Sequence, residues 1–353
     1  AWHYKENQGN GRFTIAKPVM SKPSFTGLAN GTLQLQDLEA DGRKQIVVNS
    51  PGLQGYFELD DENRWEPFRA FARTANIDLR DPNTRMLDLN GDGQPDILIS
   101  EENVFCWYPA AGTKGYDSPE LAHKPFDEER GPAIVFADPT QSIFLADMSG
   151  DGLTDIVRIR NGEICYWPNL GYGRFGAKVN MSDAPRFDTP DQFNPAYLQL
   201  ADISGTGLTD IIYLGKNQFR AWLNLSGNGW SKGTGIEAFP QTAQPGQISV
   251  TDLLGNGTSC IVWSSPLPAH AQAPMRYIDL MSGVKPHIMT AYHNGMGKTT
   301  TFTYKSSTHF YLKDKAVGKP WITKLPFPVQ CVDKVVVEDE VADLKFTNTY
   351  EYH

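Results

Sequence analysis

The sequence of 353 residues predicts an all-β fold: a β-propeller of five or six four-stranded blades, followed by a smaller β region. Three observations predict it. A ten-residue loop motif occurs five times at intervals of about 50 to 60 residues, the period of a repeated supersecondary unit. Aromatic residues make up 11% of the chain, and there are 32 Gly and 24 Pro, a profile of short strands and tight turns. No long segment spaces its apolar residues as a helix would.

The motif is fullest as Asp147-Met-Ser-Gly-Asp-Gly-Leu-Thr-Asp-Ile156, with copies at residues 37–46, 88–97, 202–211 and 252–261. Its glycines supply positive φ, and its alternating oxygens bond the loop's own N–H groups. Around the fullest copy, Ile143 to Ala146 reads as a first strand and Ile156 to Ile159 as a second. Asn161-Gly162 is a two-residue hairpin signal. Glu163 to Trp167 is then a third strand, and Phe175 to Val179 a fourth after the glycine-rich Asn169 loop. Val104 to Tyr108 and Phe219 to Leu223 hold the third-strand position elsewhere. Trp65 and Trp230 hold the aromatic position before the fourth.

The start is expected in mid-repeat, because Asn7-Gln-Gly-Asn-Gly-Arg-Phe13 matches Asn169-Leu-Gly-Tyr-Gly-Arg-Phe175. With no initiator Met, the chain reads as a piece of a longer protein. Segments Pro109 to Phe136 and Ser182 to Pro195, rich in Pro, Gly and charge, read as long loops, enlarged beyond what closing a blade requires and so expected to be surface kept for contact with a partner. The propeller is expected over 1–265, a Pro- and Ala-rich linker over 266–276, and a β extension over 277–353. In the extension Ile288 to Tyr292, Thr299 to Tyr304, Val332 to Val337 and Lys345 to Tyr352 read as hairpin strands.

A formal charge of −9 argues against a nucleic-acid surface, which needs a basic stripe. No apolar run is long enough to span a bilayer, and no signal segment opens the chain. Cys106, Cys165, Cys260 and Cys331 are too far apart in sequence for a zinc knuckle or a Cys-x-x-Cys pair, so buried free thiols are expected.

The Asp loops, together with Arg276-Tyr-Ile-Asp-Leu-Met-Ser-Gly-Val-Lys-Pro286, Ser306-Ser-Thr-His-Phe-Tyr311, Gly318-Lys-Pro-Trp-Ile-Thr-Lys-Leu-Pro-Phe-Pro-Val329 and Thr349-Tyr-Glu-Tyr-His353, resemble the B component of bacterial insecticidal Tc toxin complexes. That family carries FG-GAP/VCBS-type repeats and shares its middle region with SpvB-type virulence proteins. The resemblance covers nearly the whole chain but only a fraction of a B component. It implies a non-catalytic docking and gating module, secreted within a toxin complex. On that reading it binds the pore-forming pentameric A component and closes a toxin-containing shell of Rhs-type β repeats shared with the C component. Residues 277–353 would then be the first strands of that shell.

Several motifs invite chemistry. Asp88, Asn90, Asp92 and Asp96, and likewise Asp147, Ser149, Asp151 and Asp155, place hard oxygens at alternating positions and are candidate Ca²⁺ ligands. The other copies carry Gln45, Thr206, Leu254 or Cys260 where ligands should be, which points to a loop kept for its shape. No other cofactor is implied. Asn294-Gly-Met-Gly-Lys-Thr299 looks like a phosphate loop, but Tyr292 stands where its first glycine belongs, so a hairpin turn is expected. Ser306 to Thr308 with Glu338 and Glu340 invites an ADP-ribosyltransferase reading, against which no preceding arginine strand is found. The histidines form no catalytic grouping, and His287 and His293 are a poor metal pair. Trp107, Trp167 and Trp222 at third-strand positions would suit a carbohydrate-binding propeller, or equally the packing of blade on blade.

Overall fold

The computed structural model describes every residue except 1, 10, 22, 24–31, 51, 61–63, 217, 238–247, 266, 271, 324 and 326. Asn10 of the opening motif and Pro266 of the expected linker therefore lie outside the described residues. The chain divides into two units, residues 1–4, 16–200 and 207–241, and residues 5–15, 201–206 and 242–353.

In the first unit β1 (His3–Tyr4) and β2 (Lys17–Pro18) make a two-stranded sheet. Four four-stranded sheets follow. They are β3 (Leu33–Gln36), β4 (Gln45–Ser50), β5 (Leu53–Phe57) and β6 (Arg69–Ala70); β7 (Thr84–Leu87), β8 (Asp96–Ser100), β9 (Val104–Tyr108) and β10 (Glu120–His123); β11 (Ile143–Ala146), β12 (Asp155–Arg160), β13 (Glu163–Trp167) and β14 (Val179–Asn180); and β15 (Leu198–Ala201), β16 (Asp210–Leu214), β17 (Phe219–Trp222) and β18 (Thr234–Ile236). Strands adjacent in sequence are adjacent in each sheet, so these are the up-and-down blades of a β-propeller.

Period-two alternation decides how the blades stack. Ile156 of β12 packs with Leu87, Leu98, Phe105 and Trp107 of the preceding blade. Its neighbours Val157 and Ile159 pack with Ile211, Tyr213 and Trp222 of the following one. Both faces of a blade are thus core, which is why its strands are apolar without a polar side. Each such side chain, fully buried, contributes about 1.5–3 kcal/mol relative to exposure.

The register corrects one expected equivalence. Trp167 lies opposite Ile156 and Trp222 opposite Ile211, but the residue opposite Ile97 is Tyr108. Trp107 lies opposite Leu98 and so points to the other face of its blade. All three tryptophans are buried, which places them in packing between blades and away from any sugar.

The long loops also differ from expectation. Pro109 to Phe136 contains β10, the fourth strand of its blade, and Phe136 is buried. The remainder is clamped: Lys124, pushed down to about 8 by burial, donates to Ser100 Oγ at 2.9 Å and to Ile134 O at 2.6 Å. In the second loop Phe187 is fully buried, with its ring edge-on to Trp222 at 5.3 Å. Asn161 Oδ1 accepts from Phe187 N at 2.7 Å. These segments complete the core as well as cover it.

The second unit holds β19 (Ile248–Thr251), β20 (Cys260–Ser264) and β21 (Met275–Asp279), a three-stranded sheet. Because β21 pairs with β20 along its whole length, the repeat continues to Asp279 and the expected boundary at 276/277 falls inside a strand. Beyond it β22 (Ala291–His293), β23 (Lys298–Ser306), β24 (Gln330–Asp339) and β25 (Leu344–Thr349) form the hairpin sheet that the sequence predicts. One helix, α1 (Ser307–Ala316), was not expected. Ser306 caps it by accepting from His309 N, and Phe310 anchors it with 3% exposure.

Two glycine substitutions separate strain from collision. Gly152, at φ 88°, has nothing within 4 Å of an added Cβ, whereas at Gly115, φ 101°, that atom would run into Arg73 O. Gly152→Val should cost about 1–3 kcal/mol of unfolding free energy from the backbone alone. Gly115→Ala should cost more despite its smaller side chain, and urea unfolding curves of the two variants check the order.

Candidate functional site

The sites with the most polar chemistry are the Asp loops. Each uses its first carboxylate as an acceptor for its own amides. Asp88 accepts from Asn90 N, Gly91 N and Gly93 N, the last two at 2.7 Å. Asp147 accepts from Gly150 N at 2.7 Å and Gly152 N at 2.8 Å. Asp37, Asp202 and Asp252 do the same in their loops.

The last position of the motif is buried and ties two loops together. Asp155, fully buried, accepts from Met148 N at 2.9 Å and from Asn169 N at 2.8 Å, at the entrance to the next loop of its blade. Asp96 does so with Leu89 N and Ala110 N. Asp210 holds Asn224 N, and Gln45 holds Leu38 N. Burial outweighs these donors at Asp96 and Asp155 and pushes both carboxyls up to about 6.

This geometry tests the candidate Ca²⁺ ligands. Of the first set, Asp88 faces the loop amides, Asn90 Oδ1 accepts from Asp92 N, Asp92 Oδ1 from Gln94 N, and Asp96 turns inward. In the second set Asp147 and Asp155 are committed in the same way and Asp151 Oδ1 accepts from Leu153 N. Ser149 Oγ is buried without a hydrogen-bond partner. Ca²⁺ takes six to eight converging oxygens. Among the described residues no group of three or more His, Cys, Asp or Glu is arranged to hold a metal ion, and the carboxylates of both loops are engaged by main-chain amides.

The other candidates do not converge either. Ser306 pairs with Gln330 while Glu338 pairs with Thr299, so hydroxyl and carboxylate stand at opposite ends of a ladder roughly 20 Å long. Glu338 is ion-paired to Lys345. Asn294 Oδ1 accepts from Met296 N and Lys298 N, with Gly295 and Gly297 at positive φ, which makes the phosphate-loop lookalike a hairpin turn. His293 meets Thr299 Oγ1. Cys106, Cys165 and Cys260 are buried thiols and Cys331 is half-buried; burial pushes Cys260 up to about 11.

The sequence reading places contact surface in the long loops; what it missed is the short asparagine turns at the ends of the blades. The strand 1–2 and strand 3–4 loops leave the same end of each up-and-down sheet. There Asn169 Oδ1 accepts from Gly171 N, and Asn224 bonds both Gly227 N and Met148 O of the neighbouring Asp loop. These asparagine turns push apolar side chains outward. Leu170 is 63%, Tyr172 66% and Leu225 53% exposed. At the opposite end Phe126 is 98% exposed. A leucine between Asn and Gly reads as turn filler, so only the repetition of Asn-Leu before both loops could have signalled it.

Residues 227–353 match the model for the insecticide toxin TcdB middle/N-terminal region. Among solved structures, a chain of the Photorhabdus luminescens Tc holotoxin pore aligns with 97% of this chain at 26% identity and a TM-score of 0.80. Over residues 227–353 the chain is thus similar to the middle region of a Tc toxin B component. The TcdB2–TccC3 crystal structure aligns with 92% of it at 23% identity and TM-score 0.57. The chain spans only 15% and 18% of the length of those two toxin chains. An Agrocybe aegerita lectin, whose structure concerns recognition of non-reducing terminal N-acetylglucosamine, aligns with 95% of the chain and over 85% of its own length. Its 16% identity and TM-score of 0.53 speak for the propeller fold alone. A search of curated proteins returned no match.

Two measurements test the loop chemistry. Asp155→Asn leaves one oxygen for three N–H groups and should destabilise by about 1–3 kcal/mol. A carboxyl raised to about 6 binds its proton more tightly folded than unfolded. Its stabilising contribution is therefore full below the unfolded value and is lost as pH rises through 6. The variant should accordingly lose less stability than the parent between pH 4 and pH 7, as thermal melts across that range would record. Separately, calorimetric titration of the EDTA-treated chain with Ca²⁺ should give no heat and no shift in melting temperature.

Proposed function

We propose that this chain is a non-catalytic docking and gating module of a Tc toxin B component. In it, one end of the propeller blades seats on the pore-forming A component, and β22 to β25 lead into the shell shared with the C component. The observation that carries the reading is the fit of 97% of the chain to a chain of an assembled Tc holotoxin pore. The surface chemistry agrees with it. Stacked blades bury their broad faces, so the loop ends are what remains for a partner. Leu170, Tyr172 and Leu225 are exposed apolar residues on rigid turns there. Exposed apolar side chains grouped at one end are a feature of protein-contact surfaces. The protein then acts outside the producing cell, within the toxin complex. Among the described residues no helix is long and apolar enough to cross a membrane.

The carbohydrate-binding alternative rests on fold likeness to the lectin, while the tryptophans that would stack on sugars are buried. The transferase alternative has its hydroxyls and glutamates at opposite ends of a hairpin.

Removing either long loop whole would also remove β10 or Phe187, so point variants make the cleaner test. Binding of the chain to a Tc A pentamer by biolayer interferometry should weaken about tenfold or more with Leu170→Ser plus Tyr172→Ser, loss of two anchors at about 1 kcal/mol each. Phe126→Ser, at the other end, should bind as the parent does. The reverse result would move the interface to the other end of the blades. Equal binding by all variants would remove the assignment of the interface to the blade ends, and no binding by the parent, or hits on a glycan array, would remove the docking assignment.

A further inference from the structure

The second and third Asp loops are each covered in one way by the loop that follows, and the fourth is not. A Cβ on Gly91 would lie 3.2 Å from Leu153 of the next loop, and one on Gly150 3.0 Å from Leu208 of the next. Leucine thus covers the first glycine of the loop before it. The matching residue of the fifth loop is Thr258, and the space beside Gly205 is crowded by Gly257 O and by the end of the Lys285 side chain.

Lys285 comes from outside the repeat, in the turn that follows β21. Met281 N bonds Asp279 Oδ1 at 3.1 Å, and Ser282 and Gly283 turn the chain at φ 51° and 77°. The turn brings the Lys285 ammonium onto two main-chain oxygens of the fourth loop, Ser204 O at 2.8 Å and Gly205 O. Burial pushes this lysine down, and the Asp202 and Asp252 carboxylates pull it back up.

The fifth loop is gripped in the same manner. Gln330 Nε2, at the start of β24, donates to Asn256 O at 2.6 Å, and Asn7 Nδ2 donates to Leu253 O at 3.0 Å. Ser259 Oγ ties the two loops by donating to Asp202 O at 2.6 Å. Carbonyl and carboxylate oxygens around a positive charge are the surroundings of a hard cation, and here the positive charge belongs to the chain.

We propose that Lys285 is the built-in cation of the fourth and fifth Asp loops. Its ammonium occupies the oxygen-lined position that a small cation would otherwise take, and it fastens the segment after β21 to the loops without metal. Removal of the ammonium should therefore create a cation site where the parent has none. The proposal is independent of the docking assignment.

The test uses the EDTA-treated chain of 353 residues, with Lys285→Ala and Lys285→Met. Both variants should melt at least about 3 °C below the parent. Ca²⁺ or methylammonium should restore at least half of the loss in Lys285→Ala, where the side chain leaves room. Neither should restore Lys285→Met, whose stem still fills the position, and neither should move the parent. Three results would overturn the proposal: Lys285→Ala melting like the parent, a loss that neither cation restores, or a parent that gains as much from Ca²⁺ as the variant does. Should the variants not fold, acetylation of the parent decides. Lys285 should react about tenfold or more slowly than the exposed Lys298, and equal rates would overturn the proposal.

Discussion

A carboxylate facing main-chain N–H groups is the interaction on which every blade depends. A loop that reverses a strand within a few residues leaves several amides pointing inward with no ladder to receive them, and unsatisfied buried amides are costly. The first Asp of the motif collects the amides of its own loop. The last, Asp96 or Asp155, collects one amide from that loop and one from the loop after the third strand. Two turns at the same end of a sheet are thereby fixed relative to each other. The apolar stacking between blades can then be tight, because the strand ends do not fray.

The same constraint explains what was readable in the sequence. The Asp loops, the Asn161-Gly162 turn and the strands beside them were legible because turn chemistry and alternation agreed. β10 was not, since Glu120-Leu-Ala-His123 is short, mostly exposed and set among Pro and charge. Nor was β21, which follows a stretch with the composition of a linker. Helix α1 has no clear apolar stripe; it is held by its Ser306 cap and by Phe310, neither of which shows as a period. The tryptophan register failed for a different reason. Cys106 and Cys165 align, but Trp-Tyr follows one and Tyr-Trp the other, and in a strand a shift of one residue reverses the face.

The candidate surface was less legible than the fold because it is made by local geometry and carries no distinctive residue type. Tyr172 is exposed because its backbone sits at φ 54° within a turn fixed by Asn169, with its ring edge against Trp107 of the preceding blade. Nothing in Asn169-Leu-Gly-Tyr172 distinguishes a contact residue from a turn residue. The long loops misled in the opposite direction. Their Pro, Gly and charge suggested free surface, while Phe136 and Phe187 within them are core.

The uneven wear of the repeats follows from the division of labour within each loop. The first Asp is present in all five copies, because the amides it receives exist wherever the loop is formed. The central and final positions vary, at Gln45 in the first loop and at Thr206, Leu254 and Cys260 in the two loops whose carbonyl oxygens accept from Lys285, Gln330 and Asn7. Where such outside donors cover the loop, its remaining acids are not needed to shape it. Additional carboxylates there would add charge to a half-enclosed space already balanced by one ammonium. The fourth and fifth copies, which have lost central or final ligand positions, are thus also those to which Lys285, Gln330 and Asn7 are fastened.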